Sequence, residues 1–343
     1  MKHIKRNSII LFLITFLVLI LVLKDNFAST LSVFGRMDFF FIALAFGLYF
    51  LYIFFQALVN YLRVHQKEKF RLKDAVEHAM ITQFFNGITP FSSGGQPMEI
   101  YMLREHGIRT TRATNIIMQN FIVYQLALVI FDIFAVCYNA ATGILQNNAL
   151  LKNLIVLGFA INTMVAIFLL FLALSKKFTH FVMRIVIHIS SKLKFVKDKE
   201  AAKAKWEERL TDFHQYTKEI SKRKKFFVGG ILLNLLALAC YYAIPFVLTY
   251  SLHDFTSLTL INSLVASAYV LIIGAFVPIP GATGGIEYGF LQMFANFLPT
   301  SELNAIMIVW RFITYYFGMI IGAIMFNIHQ GGHKKNENRH VYG

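Results

Sequence analysis

Charged residues are scarce in this sequence: Asp, Glu, Lys and Arg make up 15% of its 343 residues. A soluble domain carries about a quarter, so the scarcity argues against an ordinary soluble globular protein. The two cysteines, Cys137 and Cys240, lie in apolar runs without the spacing of a disulfide framework or a metal site. The sequence also lacks a Gly-x-x-x-x-Gly-Lys-Ser/Thr loop for ATP. We therefore expect no cofactor, no metal and no ATP-driven step of that type.

Hydrophobic residues, by contrast, make up 57% of the chain and lie in runs long enough to cross a hydrocarbon core of about 30 Å. The first run resembles a signal peptide in length, but Lys24-Asp25-Asn26-Phe27 follows it in place of a small-residue cleavage site. We interpret it as a retained span. The predicted fold is an all-α integral membrane protein with about seven full spans, at residues 9–23, 39–62, 113–138, 154–174, 226–250, 257–277 and 303–328.

Two further apolar stretches, 75–103 and 278–297, are interrupted by proline and glycine. Each interruption has proline, then small residues, then a Gly-Gly pair, then a predicted helix with a glutamate near its start. Irregular backbone at membrane depth is tolerated only where it is buried in protein or lines a cavity. We therefore predict two re-entrant elements built from half-helices. Paired interruptions of this kind point to a transporter's substrate site.

The distribution of basic residues predicts the orientation. If the two interrupted stretches enter from opposite faces, 29 of the 33 Lys and Arg residues lie on one side and 3 on the other. The positive-inside rule makes the richer side cytoplasmic. Both termini and the basic stretch 176–225 are then cytoplasmic. We expect that stretch to form surface helices that face anionic inner-leaflet lipids. Residues 1–330 form the predicted membrane domain and residues 331–343 a polar tail.

Ionisable residues within the predicted membrane segments are the strongest candidates for function. A charge at the bilayer centre costs about 2.5–3.5 kcal/mol on insertion scales, so each needs a partner or a wet cavity. We predict that Arg311 pairs with Glu287; snorkelling of Arg311 to the headgroups is the alternative. Helix N-termini at Gly95 and Gly285 would attract a phosphate. Alternatively, these glycines only permit tight turns and the glutamates only cap their own helices.

The motifs at residues 89–97, 280–287 and 311–316 resemble the lysylphosphatidylglycerol synthase transmembrane-region family. This is the flippase-like half of the bacterial multiple peptide resistance factor, and the resemblance extends over about residues 5–330. It implies movement of a lipid between the leaflets of a bacterial cell membrane, and with it resistance to cationic peptides. Full-length members add a soluble domain that transfers lysine from lysyl-tRNA to phosphatidylglycerol. Because this sequence ends in a short polar tail, we expect that synthase activity to be absent.

The sequence thus predicts a lipid flippase or transporter, with a phospholipid, aminoacylated phosphatidylglycerol included, as substrate. A phosphatidylglycerol lysyltransferase or another lipid-modifying transferase is the alternative; its aminoacyl-tRNA would have to bind the basic stretch, and no nucleic acid is expected otherwise. A non-transporting membrane partner is the third reading, and a homo-oligomer is compatible with all three. No catalytic residue is assigned. The predicted substrate-binding residues are Thr89, Ser92, Ser93, Gly94, Gly95, Gln96, Glu99, Asp132, Gly281, Gly284, Gly285, Glu287, Arg311 and Tyr315.

Overall fold

The computed structural model describes residues 27–64, 70–144, 149–192, 224–275 and 277–341. These residues form α-helices and short 3₁₀ and π turns, with no β-strand among them. The all-α fold class is therefore confirmed. The α-helices are α1 Phe27–Phe34, α2 Phe39–Val64, α3 Leu72–Gly87, α4 Gly95–Glu105, α5 Thr110–Thr142, α6 Ala149–Leu174, α7 Lys176–Lys192, α8 Lys224–Tyr242, α9 Ile244–Tyr250, α10 Leu260–Gly274, α11 Gly285–Phe294, α12 Thr300–Arg311 and α13 Gly318–Val341.

Five segments are long and apolar enough to cross a membrane: Phe39–Val64, Thr110–Thr142, Leu151–Ala173, Lys224–Tyr250 and Thr300–Gln330. They correspond to five of the seven predicted spans. The predicted span 9–23 lies outside the described residues. The predicted span 257–277 contains only the 15-residue helix α10, which at 1.5 Å per residue is about 22 Å long and too short to cross alone.

The predicted basic surface helices lie partly within the described residues. Helix α7, Lys176–Lys192, forms the first part of the basic stretch 176–225 and follows directly after α6. Its apolar residues include Phe181 and Ile185, both exposed. The remainder of the predicted stretch, 193–223, lies outside the described residues.

The two interrupted stretches form helical hairpins of similar construction. In the first, α3 leads into a 3₁₀ turn at Pro90–Ser92, here tip 1, and α4 follows. In the second, α10 leads into a 3₁₀ turn at Pro280–Ala282, here tip 2, and α11 follows. The legs of each hairpin pack together, and the two tips contact each other. The new helices begin at Gly95 and Gly285, as the Gly-Gly pairs predict.

Each tip contains two consecutive residues with a positive φ. Phe91 and Ser92 have φ of 53° and 51°, and Gly281 and Ala282 have φ of 65° and 50°. A positive φ is strained for residues with a Cβ, and such strain concentrates at functional positions. The shared positive φ supports the interpretation that the two tips are equivalent turns, although only tip 1 carries a Cβ at both positions.

The final helical segment holds the first hairpin in place. Helix α13 packs on α3, where Gly322 allows the backbone of Met80 to approach so closely that a Cβ would lie 2.4 Å from its carbonyl oxygen. Near the other end of this contact, His329 Nδ1 lies 2.6 Å from Glu77 Oε1 and Nε2 lies 2.8 Å from Glu105 Oε2. Both legs of the hairpin are thus bound to one helix through a single imidazole ring.

Cysteine labelling tests the predicted orientation. In a background with Cys137 and Cys240 replaced by serine, single cysteines at positions 65, 107, 200 and 338 should react with an impermeant thiol reagent only from the cytoplasm. Cysteines at 30, 146 and 254 should react only from outside, because basic flanks stay cytoplasmic. Labelling of position 107 from outside would mean that the first hairpin crosses the membrane completely.

Candidate functional site

A polar cavity of about 450 Å³ lies between the two tips and the surrounding helices. Both hairpins contribute to it, together with α2, α5, α6, α8, the last residue of α12 and the π-helical turn Phe312–Phe317. Membrane interiors are mostly apolar, so a cluster of amide side chains at this position is a strong departure from the composition of the spans. The amide side chains that line it are Gln56, Asn60, Gln83, Asn86, Gln96, Asn120, Gln125, Asn162 and Asn234.

Half of the predicted site residues line this cavity, and the other half lie in or behind the tips. The lining residues are Ser92, Gln96, Glu99, Asp132, Gly281, Arg311 and Tyr315. The residues outside the lining are Thr89, Ser93, Gly94, Gly95, Gly284, Gly285 and Glu287.

Side chains that precede tip 1 accept hydrogen bonds from the backbone N–H groups that follow it. The N–H of Gly94 donates to Thr89 Oγ1 at 2.8 Å, and the N–H of Gly95 donates to Asn86 Oδ1 at 2.9 Å. The Thr89 hydroxyl in turn donates to the carbonyl of Phe85 at 2.7 Å. A Cβ on Gly95 would lie 2.3 Å from Asn86 Oδ1. These glycines therefore shape the turn, and their N–H groups already have acceptors.

Tip 2 is closed by a buried ion pair. Arg311 Nε donates to Glu287 Oε1 at 2.6 Å, with side chains 3% and 2% exposed. The second oxygen of Glu287 accepts the N–H of Gly284 at 2.6 Å, and Arg311 Nη2 donates to the carbonyl of Gly281 at 2.6 Å. The predicted pairing is thus confirmed. The burial of Arg311 argues against snorkelling to the headgroups, and Glu287 caps its own helix while it pairs.

Tyr315 connects tip 2 to the end of α3, the helix that leads into tip 1. Its hydroxyl donates to the carbonyl of Gly87 at the end of α3, 2.9 Å away. Its ring lies under the guanidinium of Arg311, 4.4 Å from Cζ to the ring centroid, and packs so closely on Gly281 that a Cβ there would lie 2.2 Å from Cζ of the ring. Tyr315 belongs to the π-helical turn Phe312–Phe317, and such turns occur frequently at functional sites.

Two carboxylates in the cavity are held by neutral groups. Glu99 Oε1 accepts from Asn60 Nδ2 at 3.0 Å and from the Thr82 hydroxyl at 3.3 Å. Asp132 Oδ2 accepts from Asn162 Nδ2 at 3.1 Å. Neither forms an ion pair within the described parts of the chain. Since Arg311 is neutralised by Glu287, these two carboxylates leave the cavity with an excess of negative charge when ionised.

Several lining residues were not identified from the sequence as part of the site. Single amides within apolar spans, such as Asn60, Asn162 and Asn234, could have indicated the site, because each needs a hydrogen-bond partner inside the bundle. Gln56 Nε2 donates to Asn234 Oδ1 at 3.1 Å across 178 residues of sequence. The partner of such a group lies on another helix, so the sequence alone does not identify it.

Comparison with known proteins agrees with this architecture. The model of the lysylphosphatidylglycerol synthase TM region matches residues 8–322. A UPF0104 membrane protein from Archaeoglobus fulgidus is 25% identical over 274 residues, which covers 74% of this chain and 75% of that protein. The resemblance drawn from the two tips is therefore confirmed, and the chain belongs to the lysylphosphatidylglycerol synthase transmembrane-region family.

Proposed function

We propose that this membrane protein moves a phospholipid between leaflets, with the headgroup held in the cavity between the two tips. The observation that carries the proposal is the polar cavity itself, because both hairpins and five candidate spans surround it. Interrupted helices that meet at a midplane cavity are the usual binding sites of secondary transporters. In this account the two hairpins are re-entrant and enter from opposite faces.

The size of the cavity favours a headgroup over a whole lipid. Its 450 Å³ lies within the range of about 300–1,000 Å³ that is typical of small-molecule sites. Two acyl chains do not fit in the same space as a headgroup, so they remain in the bilayer as the headgroup crosses. The polar lining substitutes for the water that the headgroup loses.

The charge of the cavity favours a headgroup that carries an ammonium group. Glu99 and Asp132 provide carboxylates without a cation partner in the described residues, and tyrosines such as Tyr124 and Tyr241 add aromatic faces. An ammonium is stabilised by both kinds of group. Aminoacylated phosphatidylglycerol carries such a group, as do other amine lipids. Because the N–H groups of Gly94, Gly95 and Gly284 already have acceptors, this proposal does not rely on them to hold the phosphate, in contrast to the cradle expected from the sequence.

The contact between the tips suggests how access alternates. The two contacting tips line the cavity together, and Tyr315 links tip 2 to the end of α3. Rocking of the first hairpin against α13 would open the cavity to one side of the membrane at a time. Because the pair Glu287–Arg311 stays intact within the second hairpin and its neighbour, the movement does not expose a lone buried charge.

Reconstitution into liposomes tests the proposal. Purified protein is inserted into vesicles that contain lysylphosphatidylglycerol or phosphatidylethanolamine, and an impermeant amine reagent then labels the outer leaflet. The proposal expects labelling to proceed beyond the outer-leaflet pool with the protein present. Vesicles in which only that pool is labelled would contradict it. New aminoacyl lipid formed from added aminoacyl-tRNA would favour the transferase alternative.

Neutralising Glu99 and Asp132 should slow this exchange. The double substitution Glu99→Gln/Asp132→Asn keeps the side-chain shapes and removes both charges that face the ammonium. A hydrogen bond to a charged group contributes about 1.5–3 kcal/mol, so we expect the exchange rate to fall by a factor of at least about 10. Glu302→Gln, on the first turn of α12 outside the cavity, serves as the control and should exchange lipid like the wild type. Equal rates in all three proteins would remove the carboxylates from the site.

A further inference from the structure

We propose a second lipid site, for the phosphate of an anionic phospholipid, in a small pocket between the end of α2 and the start of α8. The pocket has a volume of about 170 Å³ and is separate from the central cavity, although Val59 lines both. Its two cationic residues are Arg63, in the last turn of α2, and Lys225, in the first turn of α8.

Arg63 has an unused donor beside this pocket. Its Nη1 donates to Gln119 Oε1 at 3.0 Å, whereas its buried Nη2 has no hydrogen-bond acceptor among the residues that the structure describes. Nη2 lies against Gly230, where a Cβ would be 3.1 Å away. A buried donor without an acceptor is destabilising, and more so on a charged group. A small rotation of the flexible side chain turns this donor towards an acceptor in the pocket.

The identity of that acceptor follows from charge. Within the described residues no carboxylate pairs with Arg63 or with the exposed Lys225. The guanidinium fork matches phosphate oxygens, and an ammonium beside it adds a second charge-assisted contact. A phosphate therefore satisfies both cations at once.

The walls of the pocket favour a lipid phosphate over the free ion. Apart from the two cations, the pocket is lined by Val59, Leu62, Phe226 and Leu233 together with two glycines. Arg63 and Lys225 lie at ends of candidate spans, where headgroups lie, and the predicted orientation makes this the cytoplasmic side. Apolar walls that run from a cationic end into the membrane accommodate the start of an acyl chain.

Gly229 allows the pocket to be filled without disturbing the fold. A Cβ at this helical position meets no atom within 4 Å, so Gly229→Leu projects into open space along the pocket. Removing the charges by Arg63→Gln/Lys225→Gln gives an independent variant. Lys152→Gln, an exposed lysine on α6, is the matched control.

Native mass spectrometry of the purified full chain with phosphatidylglycerol tests the site. We expect the wild type and Lys152→Gln to retain the lipid, with an affinity at least about tenfold weaker in Gly229→Leu and in the double charge variant. Inorganic phosphate should not displace it, and uncharged diacylglycerol should not replace it. Glu99→Gln alters the central cavity only and should retain the lipid fully. This variant therefore distinguishes binding in the small pocket from binding in the central cavity. Equal retention in all variants, or displacement by inorganic phosphate, would overturn the proposal.

Discussion

Replacing Arg311 by glutamine should lower the free energy of unfolding by about 3–5 kcal/mol, because it leaves the buried carboxylate of Glu287 without its cation. The same change removes the donor from the carbonyl of Gly281, which Arg311 Nη2 now satisfies. Glu287→Gln should be similarly destabilising, since it leaves a buried guanidinium. Reversible unfolding in mixed micelles measures both.

The double variant Glu287→Gln/Arg311→Gln is the control for this pair. Two neutral amides leave no buried charge, so the double variant should be less destabilised than the sum of the single variants. A coupling energy well above about 0.5 kcal/mol is the expected outcome for residues in contact. Additive effects would show that the 2.6 Å contact between Nε and Oε1 is not an energetic pair.

Gly281→Ala should be strongly destabilising, because the added methyl group carries two separate costs. The residue has φ of 65°, which costs about 1–2 kcal/mol for a residue with a Cβ. The added Cβ would also lie 2.2 Å from Cζ of the Tyr315 ring, and overpacking of this kind adds about 1–3 kcal/mol. Because Tyr315 links tip 2 to the end of α3, we expect both the stability and lipid exchange to fall.

Gly107→Ala separates the two causes. Gly107 has φ of 81°, but a Cβ there meets no atom within 4 Å, so this variant carries the backbone strain without the clash. It should lose about 1–2 kcal/mol and keep full lipid exchange. If the two alanine variants behave alike, the contact between Gly281 and Tyr315 contributes nothing to function.

The ends and starts of the helices in the two hairpins were predictable from sequence, because neighbouring residues determine them. Proline and Gly-Gly determine where a helix stops and where the next begins, and α4 and α11 start at Gly95 and Gly285 as expected. The pairing of Glu287 with Arg311 was also predictable, since a charge at that depth must find its opposite. The match of the tip dihedrals had a visible signal in the repeated Pro-x-small pattern.

The parts that sequence analysis missed depend on contacts between distant segments. The Gly-Gly pattern suggested free N–H groups, but Thr89 and Asn86 reach back to occupy those of tip 1. No spacing rule indicates that Tyr315 contacts Gly87, 228 residues away. The 15-residue length of α10 was hidden because its apolar run continues towards tip 2, and hydropathy does not distinguish a full span from the leg of a hairpin.

Photo-crosslinking from within the cavity tests the central claim most directly. A photoreactive amino acid replaces Gln96, which lines the cavity, or Tyr101, which is exposed on the same helix and does not line it. After irradiation in amine-lipid vesicles, mass spectrometry locates the adduct on the lipid. The account predicts headgroup adducts at position 96, lost in Glu99→Gln/Asp132→Asn, and acyl-chain adducts at position 101. Acyl-chain adducts alone at both positions, or no lipid adduct at 96, would contradict a headgroup site between the tips.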